Sequence, residues 1–171
     1  MYLDIPYFYT VSIRDFLHLL TDDQLKLIII GSLQYLAKNE IVEVYGYVIM
    51  PNHVHFIWKF LKQNGKESPS ASFNKFTAHQ FRTYLLKNSP DLLSKFITSQ
   101  IDRVFQFWQR DPLAIALTSE DNLVQKLEYI HRNPIQEKWH LAKWPEEYRW
   151  SSASFYLIEK DEFQFLKHYK S

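Results

Sequence analysis

The 171-residue chain has no cysteine and only three glycines. Without thiols it can form neither disulfides nor a thiolate metal site, and its composition fits a reducing compartment. With so little glycine, and with no GxGxxG or GxxxxGK[ST] string, the phosphate cradles of dinucleotide-binding and P-loop enzymes are excluded. Long apolar runs are missing too: the strongest, LKLIII at residues 25–30, is far too short to span a bilayer. The opening MYLDIPYFYT lacks the basic and apolar regions of a secretory signal, so the expected location is cytoplasmic. An excess of one charge is also lacking. The net charge is +1 and the pI about 7.9, so any grip on a polyanion must come from local patches.

Aromatic and apolar residues are plentiful. Phe, Trp and Tyr make up 17% of the chain and hydrophobic residues 46%, enough for a single domain with a proper core. That domain is expected to span 1–171, with a core at about 5–156 and a C-terminal tail at 157–171. Residues 5–13, IPYFYTVSI, read as a strand. Thr21-Asp22-Asp23 can cap a helix running to about Ala37, in which Leu25, Ile28, Ile29, Leu33 and Leu36 recur near helical spacing. Residues 41–50 read as a second strand. Pro51-Asn52 breaks the chain, and HVHFIWKF follows as a third strand antiparallel to the second. Residues 62–72 form a polar loop, 73–87 a helix, and a short helical piece follows Pro90. RVFQFW (103–108) and AIALT (114–118) look like further strands. Residues 120–133 form a helix stopped by Pro134. The order β-α-β-β-α-β predicts an α+β domain of the ferredoxin-like, split βαβ kind: an antiparallel sheet with helices on one face.

Within MPNHVHFIWK (50–59), two histidines interrupt an otherwise apolar strand. Side chains alternate across a strand, so His53, His55 and Ile57 share one face while Val54, Phe56, Trp58 and Phe60 share the core face. Same-face neighbours lie about 6.5–7 Å apart at Cα, near enough for two imidazoles to bind one cation. A hairpin whose polar face merely carries histidine fits the same string. The 120–133 helix offers an answering group. Leu123, Leu127 and Ile130, with Val124 beside them, form its apolar stripe. Asn122, Lys126, Tyr129 and Asn133 share another side. Tyr129 and Asn133, at i and i+4, place a phenol about 6 Å from an amide that can ligate a divalent cation. Asn133, just before Pro134, is expected to end the helix and turn outward. Packing roles for Tyr129 and a capping role for Asn133 remain open at this point.

YGYVIMPNHVHFIWK (45–59) resembles the His-hydrophobic-His (HUH) signature of the IS200-like single-tyrosine (Y1) transposases, most closely that of the REP-associated tyrosine transposases. FWQR (107–110), YIHRNPI (129–135) and EYRWSSASFY (147–156) resemble later blocks of that family in the same order, so the similarity covers about residues 5–156. After FWQR the chain departs from the pattern, reading DPLAIALTSED where relatives tend to carry an aromatic-Asp segment. The resemblance implies a ferredoxin-like fold in which His53 and His55 bind a divalent metal, Mg²⁺ or Mn²⁺, with Asn133 as third ligand. It implies that Tyr129 attacks a DNA phosphodiester, becomes linked to the 5′-phosphate and frees a 3′-hydroxyl. The substrates implied are single-stranded or hairpin DNA, and the assembly a monomer or a homodimer.

The chemistry is consistent with these roles. A phenol is a weak nucleophile at neutral pH and needs help from nearby positive charge. Two imidazoles and an amide suit Mn²⁺ better than Mg²⁺, which prefers oxygen. A phosphotyrosine keeps the bond energy, so rejoining needs no ATP. DNA contacts are expected from Lys75, His79 and Arg82 on the 73–87 helix, extended by Lys87, and from Lys126 beside the tyrosine. Trp108, Arg110, Arg132 and Trp139 are candidates for stacking and phosphate contacts. Two other readings fit part of this pattern: a domesticated relative that binds structured DNA or RNA without cutting it, and a histidine-metal hydrolase without a covalent intermediate.

Overall fold

A computed structural model of the protein describes residues 1–99 and 104–171. The strands β1 (Pro6–Ser12), β2 (Val42–Ile49), β3 (His53–Phe60) and β4 (Leu113–Ala116) form one sheet in the order β2-β3-β1-β4. Every neighbouring pair is antiparallel. Helix α1 (Asp23–Lys38) joins β1 to β2, and α2 (Pro69–Asn88) with the short α3 (Pro90–Ser94) joins β3 to β4. This is the ferredoxin-like α+β arrangement, with α4 (Glu120–Arg132) and α5 (Ala153–Ile158) added after it.

Local chemistry sets the helix starts. The Asp22 carboxylate accepts the Gln24 amide at 2.8 Å, capping α1. The Ser68 hydroxyl accepts from the Ala71 amide and Pro69 occupies the first turn of α2. That cap starts α2 at Pro69, within the stretch expected to be loop.

The two sheet faces are built differently. On one, Tyr9, Phe56 and Trp58 pack ring to ring, Phe73 of α2 meets Phe56 and Trp58 edge-on at 5.1 and 6.1 Å, and α1 packs beside α2. On the other lies α4, buried along Leu123, Leu127 and Ile130. Helices therefore cover both faces, not one: α1 and α2 follow the split βαβ rule, and α4 closes the opposite side. Gly46 makes that closure close. A Cβ there would sit 2.5 Å from Leu127 Cδ2 and 3.1 Å from Ile130 Cδ1.

The expected strand at 103–108 does not form. Arg103 lies outside the described residues, and the remainder makes only isolated bridges, Ile97 with Phe105 and Ile13 with Trp108. The β1 edge it would need is held by β4 from Tyr7 to Thr10. The outer edge of β2 is covered in turn. The Ser152 amide donates to the Tyr47 carbonyl and the Ile49 amide to the Trp150 carbonyl, while the Lys167 amide donates to Val44 from the C-terminal tail. Such covering blunts an edge that would otherwise recruit a stray strand.

Candidate active site

His53 and His55 project from β3 toward α4, with ring centroids 4.7 Å apart and planes at 75°. Each imidazole is held by its Nδ1. Asn52 Oδ1 lies 2.7 Å from His53 Nδ1, and the orientation of that amide follows from its Nδ2 donating to the Phe16 carbonyl. His53 Nδ1 therefore carries the proton, leaving the Nε2 lone pair for a ligand. Thr10 Oγ1 lies 2.6 Å from His55 Nδ1, because antiparallel pairing sets Thr10 directly across from His55. His55 Nε2 is buried with no hydrogen-bond partner. Phe8 stacks on the His55 ring at 5.3 Å.

Burial, with the nearby Lys138 ammonium, lowers the pKa of His53 to about 4. Burial first, then His53, Lys126 and Lys138, lowers that of His55 to about 3. Both rings are neutral at physiological pH, the form that ligates a metal.

Tyr129 comes from α4 to the same place. Its ring stands 5.5 Å from His55 and 5.9 Å from Phe8, yet it is 44% exposed, so a solvent-borne substrate can reach it. The Lys126 ammonium lies over Phe8 and Tyr129, 4.8 and 5.6 Å from their centroids. Asn133 does not turn outward. It keeps helical backbone angles (φ −56°, ψ −47°), leads into a tight turn over Asn133–Ile135 and is buried, with Nδ2 unpartnered. Pro134 removes one N–H without forcing the residue before it out of the helical region, because the following turn accepts its fixed φ. On the other flank, the Trp139 ring lies 5.8 Å from His53 and 5.9 Å from His18.

The expected DNA-contact residues divide between the two sides. Lys126 and exposed Arg132 accompany Tyr129, and Arg132 lines a surface depression with Tyr129, Glu128 and Gln136. Lys75, His79 and Arg82 sit on α2, across the sheet. There Lys75 pairs with Glu67 at 2.7 Å and Arg82 lies over the Phe105 ring. Arg110 lies near Lys75 along a cleft between α2 and the 105–112 segment. Trp108 is a correction: it is buried and donates its indole N–H to Thr77 Oγ1 at 2.9 Å, so its ring belongs to the core and offers no stacking platform. Phe8, Thr10 and Asn52 escaped sequence reading. Asn52 adjoins the histidines in sequence, whereas Thr10 and Phe8 join the site only through strand register.

Among the described residues no three His, Cys, Asp or Glu side chains gather as a metal site. What the fold assembles is two neutral imidazoles, a phenol and a lysine. No protein-family model and no curated protein matches the chain. Among solved structures it is similar to a REP-associated tyrosine transposase bound to a REP hairpin, with a TM-score of 0.60 and 20% identity over 89% of this chain and 78% of that one. A Deinococcus radiodurans R1 protein named as a transposase aligns with a TM-score of 0.45 and 18% identity, over 77% of this chain and 92% of that one. The chain thus has the fold of a REP-associated tyrosine transposase.

Proposed function

We propose that this protein is a transposase of the single-tyrosine HUH type, a metal-dependent enzyme that nicks and rejoins single-stranded, hairpin-containing DNA. The observation that carries the reading is the meeting of the His53, His55 and Tyr129 rings within 5.5 Å steps on one sheet face. It is supported by a fold shared with a transposase seen on a REP hairpin.

The donor set fits a divalent cation. His53 offers an Nε2 lone pair, His55 has a buried, orphaned Nε2, and Asn133 supplies an amide one helical turn from Tyr129. When bound, Mg²⁺ or Mn²⁺ supplies charge neutralisation at the phosphate oxygens. The chain's own residues do the rest. Thr10 and Asn52 hold the imidazoles in place. Tyr129 Oη attacks phosphorus, forming the O–P bond as the P–O3′ bond breaks. The phenol proton passes to solvent, and the 3′-oxygen leaves as a hydroxyl after taking up a proton. Lys126 lies where it can meet the negative charge around the phenol. Reversal with a new 3′-hydroxyl joins strands without ATP.

The test is covalent trapping with Mn²⁺ on hairpin DNA carrying a single-stranded flank, labelled on the 5′-phosphate side of the cut. Wild type is expected to give a denaturation-resistant adduct, and Tyr129→Phe to lose it while still binding the hairpin. An adduct that survives the substitution rejects Tyr129. Hairpin binding without cleavage over many substrates would instead favour the non-cleaving relative.

A further inference from the structure

Tyr129 is useful only if α4 has the right rotation, and its apolar stripe sets that rotation coarsely, because hydrophobic contact is non-directional. Among the buried residues of α4 (Leu123, Leu127, Ile130 and His131), His131 is the one polar side chain. At about 100° per residue it sits roughly 200° round the helix from both Tyr129 and Asn133, and so anchors the side behind them. His131 Nε2 is hydrogen-bonded to Ser152 Oγ at 2.8 Å.

Ser152 is itself fastened to the sheet. The Tyr47 amide donates to Ser152 Oγ at 3.0 Å, Ser152 Oγ lies 3.2 Å from the Tyr47 carbonyl, and the Ser152 amide donates to that same carbonyl at 2.9 Å. The next residue along β2, Val48, pairs with His55 across the ladder. One point on β2 therefore references both halves of the site: the histidine through strand pairing, and the tyrosine through Ser152 and His131. Gly46, beside it, lets the helix approach.

From this geometry we infer that His131 and Ser152 are positioning residues. Their hydrogen bond pins the rotation of α4, so that Tyr129 faces His55 and Asn133 faces inward. Neither touches the reacting atoms. The inference rests on Tyr129 being the nucleophile, but it makes a structural statement of its own.

Two measurements separate the claims: nuclear Overhauser contacts between the Tyr129 and His55 rings, and adduct formation with Mn²⁺ and a flanked hairpin. His131→Leu should weaken the ring contacts and cut the adduct rate by about a hundredfold, the scale of an ångström's misplacement, while hairpin affinity holds. His131→Gln, whose amide can reach Ser152, should recover most of both. Ser152→Ala provides a second route to the same loss if the leucine variant folds poorly. Ring contacts and adduct rate both at wild-type level in His131→Leu or Ser152→Ala overturn the pin. A wild type that makes no adduct on any hairpin, in company with lost ring contacts in the variants, rejects the DNA chemistry and upholds the pin.

Discussion

Alternate residues of a single strand serve opposite ends in this protein. Phe56 and Trp58 of β3 point into a fully buried aromatic layer with Tyr9 and Phe73, whereas His53 and His55 point toward α4. Both layers contain a buried, unpaired polar atom, since Trp58 Nε1 is as orphaned as His55 Nε2. The difference is chemical. An indole N–H is a donor only and cannot ligate a cation, while a neutral imidazole nitrogen can. Orphaned polarity alone does not mark a site. The proposed site rests instead on an imidazole nitrogen, a group able to ligate a cation, beside a half-exposed phenol.

Substitutions on the two faces should separate stability from chemistry. The largest contrast pairs Trp58→Ala with His55→Ala. The first should cost about 3–5 kcal/mol of stability by leaving a cavity in the aromatic layer, with Mn²⁺ binding retained wherever the protein folds. The second should abolish Mn²⁺ binding and the DNA adduct while the fold persists. Calorimetric unfolding and Mn²⁺ titration of both variants would check this, and exchanged outcomes would erase the distinction between the faces.

A narrower contrast uses two tyrosines. Burial pushes the Tyr9 phenol up to about 12, only partly opposed by its hydrogen bond with Asn74, whose Nδ2 donates to the hydroxyl at 3.0 Å. Tyr9→Phe should cost roughly 1–2 kcal/mol and leave the adduct intact, the reverse of Tyr129→Phe. Chemical denaturation alongside covalent trapping reads both quantities.

The smallest effect concerns the far end of the histidine face. Burial alone would raise the pKa of Glu43, but hydrogen bonds from Lys167, Lys59 and Tyr45 outweigh it and hold the carboxyl at about 2. A depressed folded pKa gives stability that is present above the unfolded value of 4.5 and is lost as pH falls from there toward 2. Glu43→Gln should flatten the acid side of the stability profile within that window. Urea midpoints measured across it would show an unchanged slope if the tail's ion pair contributes nothing.

Much of the fold was legible because its signals are local. The β-rich 5–13 run, the Asp22 cap, the Pro51-Asn52 break and the apolar stripe of residues 120–133 each lie within a few residues of the structure they specify. Ser68-Pro69 was an equally local signal that the low hydrophobicity of residues 62–72 obscured. RVFQFW misled for another reason: Phe107 and Trp108 are aromatic to fill space against Phe81 of α2, with Phe107 also stacked on Phe96 just after α3, and not to pair in a ladder. The site was half legible. Alternation put His53 and His55 side by side, and helical spacing put Tyr129 with Asn133.

By itself, then, the sequence determined the periodicities: which residues share a strand face, which share a helix face, and where α1 and α4 begin. Only the tertiary structure decided that α4 crosses the histidine face, that Thr10 stands across from His55, that Asn133 turns inward and that Ser152 meets His131. The physical reason is separation along the chain. Spacing within an element is fixed by backbone geometry over a few residues, whereas those meetings join residues up to 74 positions apart, as with His55 and Tyr129, and packing a whole sheet between two layers of helices is what chooses them.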